Sequence, residues 1–223
     1  MEKNEAMNNY LHECCETKVQ LIPQNVSLLD SPFSADEIAL VWDFYVSHAP
    51  IRKNQDEKGE EFGLRCLVDY GWKGVAGLSS LERHLIRSAN LKNIVVIKAS
   101  GIKETLAAMN LSDKICCKHP RAVILQEHTI KLEETGKVNI TANETRMVCL
   151  FRHIRNSLAH NRIYFFENGS MILLEDISNS IITARILIPT HCLIDWIRAV
   201  DKDCKFYTQK NAPCIESTAT IAS

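Results

Sequence analysis

Between residues 147 and 160, apolar and polar side chains follow the period of an α-helix. With about 100° of rotation per residue, one arc of this helix carries Met147, Leu150, Phe151, Ile154 and Leu158. The opposite arc carries Arg152, Arg155, Asn156 and His160, with the small Ala159 among them. The pattern predicts an amphipathic helix over 142–161 that packs its apolar arc against the core, with Thr141 or Asn143 as its N-cap.

The chain before this helix carries mainly helical signals. Ser34 and Glu37 form a capping-box pattern that opens one helix, and Ser79 or Ser80 caps another. The segment 94–97 is rich in β-branched residues and fits a strand as well as a helix, but it lies between helical patterns and is interpreted as a helix. Further helices are predicted over 62–70, 103–116 and 121–132.

After the amphipathic helix, the period changes to that of β-strands. The predicted elements are strands within 162–188, at 162–166, 171–174 and 181–188, and a last helix over 190–200 capped by Thr190. An Asn168-Gly169 turn joins the first two strands into a hairpin. Glu175 and Asp176 follow an apolar strand, so their carboxylates either pair with Arg185 across the hairpin or approach the helix.

These elements together predict a mainly α-helical protein. The expected architecture is a helical bundle with a small antiparallel β-hairpin or three-stranded sheet near the C-terminus. In the corresponding domain organisation, residues 1–33 are an N-terminal extension, residues 34–204 are the helical domain, and residues 205–223 are a flexible tail.

The composition narrows the classes of partner. The 223 residues are 46% hydrophobic and 24% charged, as in ordinary globular proteins. A net charge of −1 argues against a protein that coats nucleic acid, so any nucleic-acid contact must be local. The N-terminal residues lack the apolar centre of a signal peptide, and no apolar run approaches the roughly 18 residues of a membrane span. We therefore expect a cytoplasmic protein that does not contact a membrane.

The cysteines do not indicate a metal site. There are nine, scattered along the chain, with adjacent pairs at Cys14-Cys15 and Cys116-Cys117. An odd count without a Cys-x-x-Cys pattern fits free thiols in a reducing compartment better than disulfides or structural zinc. Glycine-rich phosphate loops and the motifs of serine hydrolases and zinc proteases are also missing. The sequence thus predicts neither a metal nor another cofactor.

Positive charge is concentrated on the predicted helix at 142–161. Between Arg146 and Arg162 there are four arginines and two histidines but no aspartate or glutamate, in a chain that is nearly neutral overall. Arginine and histidine near a helix C-terminus also complement the helix dipole, so a plain surface role is one explanation. Asn156 and His160 lie one turn apart, however, where the amide can orient the imidazole. Arginine suits binding a phosphate, and histidine suits moving a proton near neutral pH.

Arg155, four intervening residues and His160, with polar Asn156 directly after the arginine, resemble the R-x(4–6)-H motif of HEPN domains. These are small α-helical domains common in RNA-cleaving toxins and antiviral defence systems. The longer string, from Phe151 through the hairpin to the helix at 190–196, is similar to a branch of that family found on plasmids and other mobile elements.

The resemblance implies a HEPN-like helical bundle and a metal-independent endoribonuclease that acts as a homodimer. His160 would be the general acid/base, Arg155 would stabilise charge on the scissile phosphate, and Asn156 would hold the histidine or the phosphate by hydrogen bonds. Further RNA contacts are expected from Arg146, Arg152, His153 and Arg162. Besides RNA and a second copy, the expected partner is an antitoxin or a nucleotidyltransferase, in a toxin, phage-defence or stress-response setting. The alternative is a non-catalytic HEPN module that binds RNA, a nucleotide or a partner protein.

The spacing of the two motif residues has a geometric consequence. Arg155 and His160 are separated by five positions, which is about 140° around a regular helix. One helix alone therefore presents them poorly to a single phosphate. Either the helix loosens near Ala159 or a second copy completes the site, so the spacing itself predicts a dimer.

Overall fold

A six-stranded sheet forms the centre of the fold. The computed structural model describes residues 24–25, 27–51, 65–91, 94–98, 120–126, 128–132, 138–166 and 169–207. The strands in these residues are β1 (Gln24–Asn25), β2 (Ile94–Lys98), β3 (Arg121–Gln126), β4 (His128–Leu132), β5 (Val138–Ala142), β6 (Ile163–Phe166), β7 (Met171–Ser178) and β8 (Ile181–Pro189). The sheet has the order β1-β6-β7-β8-β3-β2, in which only β2 and β3 are parallel neighbours. β4 and β5 form a separate two-stranded ladder.

Helices pack against this sheet. Within the same residues the α-helices are α1 (Ala35–Trp42), α2 (Gly74–Ser88), α3 (Arg146–Ala159) and α4 (Cys192–Val200). α1 continues into a π-helical turn over Asp43–Ser47. The predicted capping box is confirmed, because the amide of Ser34 donates to Glu37 Oε2 at 2.8 Å and the amide of Glu37 donates to Ser34 Oγ at 3.3 Å. None of these helices is long and apolar enough to cross a membrane.

The prediction of a mainly α-helical bundle is wrong. The segments at 94–97 and 121–132, interpreted as helices, form β2, β3 and β4, and β5 lies in the polar approach to α3. In β3, Ala122, Val123 and Ile124 are all buried, so no apolar–polar alternation marks the strand. Short apolar runs of this kind cannot be separated from buried helix by periodicity. The described part of the chain is a mixed fold of helices packed against a largely antiparallel sheet.

Two helices begin at residues other than the predicted ones. α2 starts at Gly74, ahead of the predicted caps at Ser79 and Ser80. α3 is capped by Thr145, whose hydroxyl accepts a hydrogen bond from a backbone amide of the first turn. Thr141, one of the two predicted caps, instead belongs to β5. The β4–β5 ladder therefore extends closer to α3 than the sequence indicates.

Other local predictions have mixed outcomes. The N-cap of α4 is His191, and the hydroxyl of Thr190 instead donates to the carbonyl of Gly169 at 2.6 Å. Residues 67–70 form a turn in the described part of the segment 62–70, where a helix was predicted. The helix predicted over 103–116 and the Cys116-Cys117 pair lie outside the described residues.

The apolar arc of α3 lies in the core, as predicted. Its members Met147, Leu150, Phe151, Ile154 and Leu158 are all buried. On one side, the ring of Phe151 contacts Phe44 and Tyr45 of the π-helical turn, with ring centroids 6.1 and 6.2 Å apart. On the other side, α3 packs against β3 and β7. Because α3 is enclosed between the N-terminal segment and the sheet, even its polar arc lies close to other elements.

The N-terminal segment belongs to the same core as the rest of the described chain. β1 pairs with β6, where Gln24 lies opposite Phe165. Leu28 is buried, and the indole of the buried Trp196 in α4 donates to Ser88 Oγ of α2 at 3.0 Å. One hydrophobic cluster thus joins the N-terminal helices, α3, α4 and one face of the sheet.

Candidate functional site

The C-terminal end of α3 is a closed and regular helix terminus. His160 is the C-cap, and Asn161 follows in the left-handed conformation with φ 52°. The amide of Asn161 donates to the carbonyl of Leu158 at 3.1 Å, and the amide of Arg162 donates to that of Ser157 at 2.8 Å. This pair of hydrogen bonds is a Schellman motif. Of the two predicted ways to unite the motif residues, loosening of the helix near residue 159 is therefore not observed.

His160 is exposed at this helix end. Its backbone amide still donates to the carbonyl of Asn156 at 3.0 Å, so the cap is held by the backbone. Its imidazole makes no hydrogen bond or ion pair with the described residues. The side chain is thus free to meet a substrate or a second chain.

Arg155 lies half-buried five residues earlier in the helix. Its Nη1 donates to Oδ1 of Asn156 at 3.2 Å. Its Nε is buried and has no hydrogen-bond partner among the described residues. A buried N–H without an acceptor is unfavourable by about 1–3 kcal/mol, and an anionic oxygen is the natural acceptor for a guanidinium.

The side chain of Asn156 hydrogen-bonds Arg155 and Asp176, whereas the sequence suggested His160. Its Nδ2 donates to Oδ2 of Asp176 in β7 at 3.1 Å, while its Oδ1 accepts from Arg155. Both ends of the amide are therefore occupied by residues other than His160. In this structure Asn156 orients the arginine of the motif, and the imidazole is left to be placed by the helix cap.

His153 is buried beneath the carboxylate of Asp176. Its ring is 1% exposed, with Nδ1 2.7 Å from Asp176 Oδ2 and Nε2 2.8 Å from the carbonyl of Leu125 in β3. Burial is the largest influence on Asp176 and favours its neutral form, but hydrogen bonds from His153 and Asn156 and the nearby positive charges outweigh it. The pKa of Asp176 therefore lies below its ordinary value. His153 joins α3 to the sheet and is not accessible to RNA.

Arg152 is bound to Glu144, which precedes the helix. Its Nη2 lies 2.6 Å from Oε1 and its Nε 3.0 Å from Oε2, a two-pronged contact. Burial again opposes ionisation most strongly, but the hydrogen bonds and charge of Arg152 outweigh it, so the pKa of Glu144 is lowered. Arg152 Nη2 also donates to the carbonyl of Leu125. The same carbonyl accepts a hydrogen bond from Cys149 Sγ.

The remaining arginines near α3 also have intramolecular partners. Arg146 donates through Nη2 to the carbonyl of Ile94 at 2.7 Å and pairs with Glu82 of α2 at 2.9 Å. Arg162 donates through Nη1 to the carbonyl of Ile177 at 2.8 Å. The four residues expected to add RNA contacts therefore all have partners within the chain.

Glu175 and Asp176 divide the two roles that the sequence left open for them. Successive strand residues face opposite sides of a sheet, so Glu175 pairs with Arg185 of β8 at 2.8 Å while Asp176 faces α3. Directly after Asp176 the register with β8 shifts, which leaves Thr183 as an extra residue whose hydroxyl donates to the Asp176 carbonyl at 3.2 Å. Such bulges commonly redirect side chains next to functional sites.

The chemistry available at this end of α3 is anion binding and proton transfer. Arg155 offers an unsatisfied guanidinium N–H and His160 an exposed imidazole. Among the described residues, no group of three or more histidine, cysteine, aspartate or glutamate side chains is placed to hold a metal ion. The buried carboxylates near α3 are each bound to a basic side chain.

Comparison with known proteins places this site within a family. Residues 87–211, more than half of the chain, match the family described as HEPN pEK499 p136. Searches of curated proteins and of solved structures gave no match. The matched residues contain α3, α4 and the strands β2 to β8, so the end of α3 and the carboxylates of Glu144 and Asp176 lie inside the match. The family resemblance of the sequence is therefore confirmed, although the fold is not the expected bundle, and the chain belongs to the HEPN pEK499 p136 family.

Proposed function

We propose that this protein is a metal-independent endoribonuclease whose site is the C-terminal end of α3. Membership in a HEPN family indicates a nucleotide-binding or ribonuclease-like module. The observation that supports RNA cleavage at this site is the lack of internal partners at Arg155 Nε and at the His160 imidazole. These two side chains keep groups without a partner in the described structure, while the other basic residues of α3 are bound within the chain.

The proposed reaction is attack of an RNA 2′-hydroxyl on the adjacent phosphodiester. His160 takes the proton of the 2′-hydroxyl while water protonates the leaving 5′-oxygen, or it protonates the 5′-oxygen while water takes the proton of the 2′-hydroxyl. Arg155 stabilises the charge that builds on the phosphoryl oxygens. The P–O bond to the 5′-oxygen breaks as the P–O bond to the 2′-oxygen forms. The products are a 2′,3′-cyclic phosphate and a free 5′-hydroxyl.

Two copies of the chain are part of this proposal. α3 stays regular up to Ala159, so Arg155 and His160 remain about 140° apart around the helix. A phosphate that contacts both then needs groups from a second α3. We expect a homodimer in which the Arg155 of one protomer and the His160 of its partner act on the same phosphate.

The biological setting follows from the family resemblance alone. A chain of this branch fits a toxin, phage-defence or stress-response system, where uncontrolled RNA cleavage harms the host. Such an activity requires control, so we expect an antitoxin or a nucleotidyltransferase as partner.

One observation favours a second function. Arg146, Arg152, His153 and Arg162 are committed to internal contacts, so α3 offers less cationic surface than its sequence indicates. A HEPN module that binds RNA, a nucleotide or a partner protein without cleaving would need only the Arg155 site.

The deciding experiment is a cleavage assay with purified protein and single-stranded RNA in the presence of EDTA. Wild type should cleave and leave cyclic-phosphate ends, whereas His160→Ala and Arg155→Ala should not. His191→Ala is the matched control, because His191 is also an exposed histidine at a helix end. Cleavage that survives both motif substitutions would contradict the proposal, and RNA binding without cleavage by wild type would support the second function.

A further inference from the structure

We propose that Asp176 is a positioning residue for Arg155 and acts on it through Asn156. The inference rests on the proposed function, in which Arg155 stabilises the charge on the scissile phosphate. It assigns a role to a residue of β7 that lies outside the motif and does not itself reach the substrate.

A continuous line of hydrogen bonds joins the sheet to the motif arginine. The carbonyl of Leu125 in β3 is 2.8 Å from His153 Nε2, and His153 Nδ1 is 2.7 Å from Asp176 Oδ2. The same Oδ2 accepts from Asn156 Nδ2 at 3.1 Å, and Asn156 Oδ1 accepts from Arg155 Nη1 at 3.2 Å. The half-buried Arg155 is thus the last member of a line in which His153 and Asp176 are almost completely buried.

The donors and acceptors along this line fix the orientation of the Asn156 amide. An ionised carboxylate only accepts and a guanidinium only donates. Asn156 must therefore direct its nitrogen to Asp176 and its oxygen to Arg155, because a flipped amide would face donor with donor and acceptor with acceptor. Asp176 in this way determines which atom of Asn156 is offered to Arg155.

Asp176 is itself rigidly placed. Its side chain is 5% exposed and is held by His153, whose second nitrogen is anchored on β3. It occupies the last regular pair of β7 with β8 before the register shifts. A lowered pKa keeps the carboxylate ionised at neutral pH, which strengthens both hydrogen bonds that it accepts.

The hydrogen bonds from Asp176 through Asn156 matter for Arg155 because an arginine side chain is otherwise flexible. Ordering a long side chain costs up to about 2 kcal/mol, and a group that must move into place during a reaction contributes less than one already in place. The contact from Asn156 orders the end of the guanidinium at Nη1 and leaves the buried Nε of Arg155 directed at no other acceptor. The predicted consequence is a guanidinium fixed before RNA binds.

The test compares Asp176→Asn with Glu175→Gln in the full-length protein. The two residues are adjacent buried carboxylates of β7, but Glu175 pairs with Arg185 and makes no contact with α3 that the structure shows. The first readout is steady-state cleavage of single-stranded RNA. Asp176→Asn should lower kcat by about 10- to 100-fold with little change in KM, and Glu175→Gln should change neither. Equal losses of kcat in both variants would overturn the proposal.

A second readout does not depend on cleavage. In proton–nitrogen correlation spectra, the Nε–H signal of Arg155 is identified by its absence in Arg155→Lys. That signal should be sharp in wild type and in Glu175→Gln, and broadened or lost in Asp176→Asn and Asn156→Ala. If wild type fails to cleave RNA, the proposed function fails, yet this signal still decides the positioning role. A signal that is unchanged in Asp176→Asn would overturn it.

The double variant Asp176→Asn/Asn156→Ala distinguishes an effect of Asp176 that passes through Asn156 from a general loss of stability. If Asp176 acts through Asn156, then Asp176→Asn should have no further effect on the Arg155 signal or on kcat once Asn156 is alanine. Additive effects in the double variant would contradict that route. The folded fraction of each variant is measured by circular dichroism, so that activity is compared per folded molecule.

Discussion

The two ends of α3 carry the same kinds of side chain and use them in opposite ways. Towards the N-terminus, Arg146, Arg152 and His153 are each paired with an acidic residue outside the helix. Towards the C-terminus, Arg155 keeps a buried N–H without an acceptor, and His160 is exposed. The first group fastens the helix, and the second remains available for a ligand. A count of basic residues cannot separate these groups, because the difference lies in their partners.

The largest expected effect comes from substitutions at the C-terminal end of α3. Replacing His160 by alanine should lower RNA cleavage by about 100-fold or more, the usual contribution of a general acid or base. Arg155→Ala should have a similar effect through lost charge stabilisation. Thermal unfolding should change little in His160→Ala, because the exposed imidazole has no partner among the described residues. Full activity in both variants would show that the two ends of α3 do not differ in function.

The next effect is one of stability at the other end of the helix. Glu144→Gln removes the charge that binds Arg152, and the Glu144 side chain is only 6% exposed. The free energy of unfolding should fall by about 2–3 kcal/mol, less than for a fully buried pair because Arg152 is partly solvated. Denaturant unfolding measures the loss.

Cleavage by the folded fraction of Glu144→Gln should stay near that of wild type, since Arg152 fastens the helix. Glu82→Gln is the milder control, because its partner Arg146 is 44% exposed and screened by solvent. If Glu144→Gln abolished cleavage without loss of stability, Arg152 would belong to the functional group.

The apolar half of α3 was predictable, and most of its surroundings were not. Five core residues recur with helical period within one uninterrupted segment, so the sequence alone places them on one side. β2 and β3 were missed because a β-branched run and a buried apolar run carry no alternation when both faces are covered. The hairpin of β6 and β7 was recognised from its turn and its change of period.

The ion partners of α3 were the least predictable part of the site. Asp176 reaches His153 only because the register of β7 places its even-numbered residues towards the helix, and register depends on contacts distant in sequence. The sequence offered Asp176 and Glu175 as alternatives, and alternation along the strand gives each a different role. Glu82 lies on a separate helix, so nothing near Arg146 in the sequence points to it.

A smaller effect concerns the dependence of stability on pH. Both Asp176 and Glu144 have folded-state pKa values below their ordinary ones, so each stabilises the fold above the unfolded pKa of about 4. That contribution is lost as the pH falls through the folded pKa. Urea unfolding at a series of pH values should therefore show a midpoint that declines below about pH 4. In Asp176→Asn the decline should be shallower, and a slope equal to that of wild type would contradict the role given to Asp176.

The smallest effect tests how His160 is held, since no side chain of the described residues binds its imidazole. Asn161 has φ 52°, and its amide closes the helix on Leu158, so the position of the imidazole depends on a left-handed residue directly after it. Asn161→Gly should leave stability nearly unchanged, because glycine adopts this conformation freely but loses more chain entropy. Asn161→Ala should cost about 1 kcal/mol, because alanine lacks the short polar side chain whose local hydrogen bonding lets asparagine tolerate this region. A moderate loss of cleavage in the alanine variant, absent in the glycine variant, is expected from a shifted His160. Equal cleavage and stability in both would mean that the cap does not position the imidazole, and the free end of α3 would then be ordered only by its ligand.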